Sequence, residues 1–99
     1  MVQVNWTPEA VEWLRRIYDY LSPENLRIAE KVILEIIQKA DLLEHNPRLG
    51  SRVDQWSEYE IRMMVYGNYR IVYRNVSEAQ IDVLGVFHGA MDLVKYLDL

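Results

Sequence analysis

Three arginines and a histidine stand in three runs of alternating sequence. Arg62 lies in Ile61-Arg62-Met63-Met64-Val65, Arg70 and Arg74 in Asn68-Tyr69-Arg70-Ile71-Val72-Tyr73-Arg74, and His88 near the end of Ile81-Asp82-Val83-Leu84-Gly85-Val86-Phe87-His88-Gly89. Guanidinium groups carry fixed positive charge in a fork that matches carboxylate or phosphate oxygens. An imidazole titrates near neutrality and can exchange protons there. Side chains alternate along a strand, so Ile61, Met63, Val65, Tyr69, Ile71 and Tyr73 form one apolar face if the register step is even. Arg62, Met64, Arg70, Val72 and Arg74 then share the other face, and the simplest even pairing adds Asp82, Leu84, Val86 and His88 to it. A plainer reading fits the same residues. In it the arginines are a solvated sheet face with Asp82 pairing one of them for little net stability, and His88 is a hydrogen-bonding residue at a strand end.

The elements that must position these groups are legible by pattern. A three-residue loop, Tyr66-Gly67-Asn68, joins the first two runs, with Gly67 or Asn68 supplying the left-handed backbone that such loops need. The third run is apolar on both sides at its middle, which suits a central strand. Upstream, Val2, Val4 and Trp6 alternate with Gln3 and Asn5 as a short strand. Thr7-Pro8-Glu9 then has the chemistry of a helix start: a side-chain acceptor, a residue that needs no amide, and an acid at the positive dipole end. Ala10, Leu14, Ile17, Tyr18 and Leu21 follow at helical spacing, and Ser22-Pro23-Glu24 repeats the start signal. Ala29, Val32, Ile33, Ile36, Ile37, Ala40 and Leu43 form a second apolar stripe. The breaker cluster His45-Asn46-Pro47-Arg48-Leu49-Gly50 turns the chain into the sheet, and residues 90–97 suit a short terminal helical segment.

The expected fold is α+β: an N-terminal strand, an antiparallel two-helix hairpin packed on one face of a twisted antiparallel sheet, and a short C-terminal helical segment. At 99 residues and 51% hydrophobic, the chain suits one domain, 1–99, with a modest core. It has no cysteine, which excludes disulfides and thiolate metal sites and fits a reducing cytoplasm. Its two histidines have no ligand-like spacing, so neither metal nor cofactor is expected. No apolar run approaches a membrane span. The net charge of −4 argues against a surface that grips nucleic acid through phosphates. Charge is uneven, however: residues 48–76 carry five basic and three acidic groups, a local +2, whereas each flank is −3.

The order strand, helix pair, Asn46-Pro47-x-x-Gly50, Tyr69-Arg70-Ile71-Val72-Tyr73 and Val86-x-His88-Gly89 resembles the RelE/ParE superfamily of bacterial toxins. The likeness covers nearly the whole chain and includes Val4 to Pro8, Ala10, Ala29 and Leu43. It implies the toxin of a type II toxin–antitoxin, or plasmid stabilisation, module, neutralised by a cognate antitoxin that covers its sheet. One branch cleaves messenger RNA at the ribosome; the other blocks DNA gyrase without chemistry of its own.

In the cleaving branch the arginine of the Tyr-Arg-x-Val-Tyr motif lies in the active site, which transfers that role to Arg70. Proton transfer and further contacts would fall to His88 and Tyr96. Attack of a ribose hydroxyl on phosphate requires a base, an acid and fixed positive charge, which His88, Arg70 and Arg74 would supply. The sequence departs from that pattern: Ala90 and Met91 stand where many members have arginine, and no lysine precedes Arg70 in the sheet. With the acidic total, this favours the ParE-like, gyrase-binding branch over the mRNA interferase. A third reading is an inactive or repurposed binding module. The expected partner surface comprises Arg62, Arg70, Val72, Arg74, Leu84, Val86, His88, Met91 and Tyr96, and both a homodimer and a hetero-oligomer with the antitoxin stay open.

Overall fold

The computed structural model describes residues 1–97 and 99. The first strand, β1 (Gln3–Trp6), runs directly into α1 (Pro8–Leu21). Thr7 makes the junction rigid: its Oγ1 accepts from the Ala10 amide at 3.1 Å and donates to the Val83 carbonyl at 2.9 Å. The helix cap is thus also a tie to the sheet, and Ala10, Leu14 and Ile17 are aimed into the core.

The second helix, α2 (Leu26–Asp41), begins later than Ser22-Pro23-Glu24 suggests. Ser22 is itself helical, with φ −64° and ψ −34°, and its amide donates to Tyr18, so it closes α1. An N-cap needs extended backbone. Asn25 has it, at φ −155° and ψ 99°, and its side chain accepts from the Ile28 amide. From there Ala29, Ile36 and Ala40 are buried, with Val32, Ile33 and Ile37 partly so. A 3-10 turn at Leu42–Glu44 buries Leu43, and the Glu44 carbonyl accepts from Val2.

The remaining strands are β2 (Ser51–Arg52), β3 (Ile61–Tyr66), β4 (Tyr69–Ser77) and β5 (Gln80–His88), followed by a short helix α3 (Leu93–Tyr96). Their order in the sheet is β1-β5-β4-β3-β2, so β5 is internal as its two-sided apolar middle implied. β1 lies parallel to β5 while the other pairs are antiparallel, which makes this α+β sheet mixed rather than wholly antiparallel. The helical hairpin packs on one face.

The even register expected between β3 and β4 is not the one formed. Tyr66 pairs with Tyr69, so the connection is the two-residue turn Gly67-Asn68, not a three-residue loop. Gly67 has φ 55° and no other described residue has positive φ, which is the pattern of a turn with glycine first. Two loop residues couple even positions of β3 to odd positions of β4. Met64 and Tyr66 therefore join Tyr69, Ile71 and Tyr73 on the helix face, and the Tyr66 hydroxyl donates to Glu35 of α2. Ile61, Met63 and Val65 turn the other way, and Val65 is 60% exposed.

A second correction arises within β5. Val72 pairs with Gly85 but Tyr73 with Val83, which leaves Leu84 as an extra residue in a bulge. Parity reverses there. Ile81 and Val83 before it and Val86 after it all face the helices, whereas Asp82 before it and Phe87 after it face away. Asp82 stays on the arginine face, opposite Arg74 but accepting from Gln80 instead of an arginine; His88, beyond the bulge, is opposite Tyr69 and leaves the arginine side.

Ile36 sits fully buried between the helices and this face. Ile36→Ala should leave a cavity and lower unfolding free energy by about 2–5 kcal/mol, measured by urea denaturation.

Candidate functional site

Arg70 and Arg74 share the sheet face away from the helices, but that face is not open. The segment from Val53 to Glu60 and the C-terminal segment fold over it. Val53, Ile61, Val72, Phe87 and Leu93 form a second small core there, with Trp56, Tyr59, Met63 and Met91 packed around it. Val72 is fully buried. It cannot meet a partner while the chain's own segments cover it. Leu84, at the bulge, is half-buried against the same cluster. Val86, also expected on the partner surface, is buried on the opposite side under the helices.

Each arginine has its own surroundings. Arg74 stacks its guanidinium on the Tyr59 ring, 4.4 Å from the centroid. Arg70 Nη2 donates to the Met91 carbonyl, and its Nε is enclosed without a partner among the described residues. A buried donor left unmade costs about 1–3 kcal/mol. The Arg70 side chain borders an open cleft of about 640 Å³ that Arg52, Gln55, Met63, Met91 and Asp92 also line.

His88 is exposed on the helix side, its ring meeting Tyr69 edge to face at 5.9 Å. Register places it on the opposite sheet face from Arg70. Where the sheet ends, a shallow dent over the Gly67-Asn68 turn is lined by both residues. Strand register thus sets the expected proton-transfer group and phosphate anchor on opposite faces of the sheet. Among the described residues, no three His, Asp or Glu side chains gather as a metal site would require.

Arg62 also leaves the arginine face, because it pairs with Tyr73 on the helix side. Its Nη1 donates to the Gly50 carbonyl at 2.8 Å and its Nε to Glu60 at 2.9 Å. The Gly50 amide donates to the Tyr73 hydroxyl at 2.9 Å. Only glycine fits at position 50: a Cβ would lie 2.6 Å from the Met63 carbonyl oxygen, and backbone cannot move aside cheaply. Glu60 receives Arg48 as well, at 3.0 Å. The Arg62 hydrogen bond, followed by that of Arg48, outweighs partial burial and holds the Glu60 carboxyl below its ordinary range. Burial pushes the Tyr73 hydroxyl up. Arg62 is thus a structural clamp on the chain's entry into the sheet.

Tyr96 packs edge to face on Trp13, 5.6 Å between centroids, and Trp13 meets Phe87 at 4.7 Å. β1 pairs β5 only as far as Val83, and Trp13 crosses the uncovered edge beyond it, joining the helix side to the second core. Helical spacing gives no sign of a residue that reaches around a sheet edge, although an aromatic off the apolar stripe of α1 was a usable hint.

A helical hairpin on one face of a five-stranded mixed sheet is the fold of the RelE/ParE class of small toxins. The chain belongs to the ParE toxin family of type II toxin–antitoxin systems: that family's model, the toxin of parDE, matches residues 4–93. Among solved structures it is similar to one from the chromosomal ParDE system of P. aeruginosa, with a TM-score of 0.72, 19% identity, and 89% of this chain and 96% of that one covered. It is also similar to a chain of the RelBE2 toxin–antitoxin complex of Mycobacterium tuberculosis, with a TM-score of 0.60, 22% identity, and 88% and 96% covered. At these identities the likeness is one of fold. No curated protein matches significantly in sequence. Among the described residues no helix is long and apolar enough to cross a membrane.

The Glu60 clamp has a pH signature. Its folded pKa is lowered from the ordinary 4.5, so its contribution is fully present above about pH 4.5 and is lost as pH falls through the lower folded value. Glu60→Gln should flatten this part of the acid stability profile, read as melting temperature against pH.

Proposed function

We propose that the chain acts as a toxin by binding DNA gyrase in the cytoplasm, without bond-making chemistry of its own, and that a cognate antitoxin neutralises it. The observation that supports this reading is the register that sets Arg70 and His88 on opposite faces of the sheet. Cleavage of RNA would need a proton-transfer group and fixed positive charge on one phosphate. Here the Arg70 guanidinium is engaged with the Met91 carbonyl on one face while His88 stands exposed on the other. Ala90 and Met91 add no charge after the last strand. A binding mechanism asks for none of these. What is left for recognition is exposed surface: His88, Tyr96 and the outer faces of α1 and α2.

Induced expression, with supercoiling of a reporter plasmid and transcript integrity followed together, tests the reading. Altered supercoiling with intact transcripts is the expected outcome, and inhibition should be reproduced with purified gyrase. His88→Gln should remain fully toxic. If His88 instead moved a proton in RNA cleavage, that substitution would cut the rate by about 10²- to 10⁴-fold, and toxicity would fall with the loss of cleaved transcripts. That result would favour the mRNA endoribonuclease.

A further inference from the structure

Beside the uncovered half of β5, α1 and the sheet leave a groove of about 330 Å³. Its floor is the buried pair Ile17 and Val86, and Trp13, Tyr20 and Tyr69 rise as its walls. Tyr20 is 82% exposed, so the outer wall is open to solvent. Arg16 and His88 supply its basic side chains, and Met91 completes the lining. Arg16 lies over the Trp13 ring at 4.7 Å and, among the described residues, makes no ion pair. Among the described residues no carboxylate lines the groove. In a chain of net charge −4, this is an aromatic, locally basic recess.

We propose that this groove is where the antitoxin seats a bulky apolar side chain, with a neighbouring carboxylate held by Arg16 and hydrogen-bonded by His88. The assignment rests on the toxin–antitoxin reading and adds the place and chemistry of the contact. Aromatic walls around a desolvated floor suit a single anchoring side chain, which is how most interface energy is concentrated. A guanidinium already fixed over an indole ring is preorganised for a carboxylate and loses less freedom on binding. The sign of the rim charge selects an acidic occupant over a basic one.

The test uses the full chain and, as probe, the full-length product of the small gene adjoining its own. Arg16→Glu and Tyr20→Ala alter exposed side chains, so both should melt as the wild type does. Each is expected to raise Kd for the probe about tenfold or more, the cost of losing an interface anchor. Replacing the probe's matching carboxylate with lysine should restore affinity for Arg16→Glu alone. A tight wild-type complex with both variants unchanged would overturn the groove assignment and leave the toxin reading standing. Variants that keep the probe but lose gyrase would give the groove to the target and overturn it too. If the wild type neither binds the probe nor harms cells, the toxin–antitoxin reading fails and this inference with it.

Discussion

The arrangement of this molecule depends on the length of one turn. Because Gly67 takes φ 55° at the first position of a two-residue connection, Tyr66 is paired with Tyr69 and every even residue of β3 is placed beside an odd residue of β4. A slip of one residue in a strand moves its whole side-chain set to the other face. With the turn as it is, Met64 and Tyr66 meet the helices, and Ile61 and Met63 are free to build something on the opposite side. The bulge at Leu84 makes the same kind of choice in β5, turning Val86 inward and Phe87 outward.

What those choices build is a second core, in a chain too small for most of its sheet to be covered twice by separate layers. Phe87, Val72 and Ile61 would be an apolar patch in water. The chain covers them with its own connecting segment and with Leu93 of α3. The same packing brings the Met91 carbonyl to Arg70. Burial of apolar surface and fixation of the arginine are therefore one event, and they leave the guanidinium aligned by backbone instead of by an acidic neighbour.

On the helix side the polar interactions serve the fold. Arg62 and Tyr73 grip the two backbone groups of Gly50, and Glu60 gathers Arg62 with Arg48. These contacts hold the chain where it leaves the helices and enters β2. At the other end of the same face α1 stops covering the sheet, which leaves the groove lined by Tyr20, Tyr69 and His88.

Short-range chemistry determined much of this. The Thr7-Pro8 helix start, the apolar stripes through Leu14 and Ile36, the central character of β5 and the overall α+β order are all written in local pattern, since caps and periodicity act within a few residues. Family membership was legible for the same reason: the motifs are spread along the chain in order. Parity was not. Gly67 permits both a two-residue and a three-residue connection, and nothing local marks Leu84 as an extra residue, so the faces assigned to Arg62, Val86 and His88 had to follow from strand pairing. Val72 looked available to a partner because alternation alone cannot show that residues 53–60 return to cover it. The grouping of side chains across a sheet is a long-range property, decided when the registers lock and the second core closes, and only then do Arg70 and His88 fall on opposite sides.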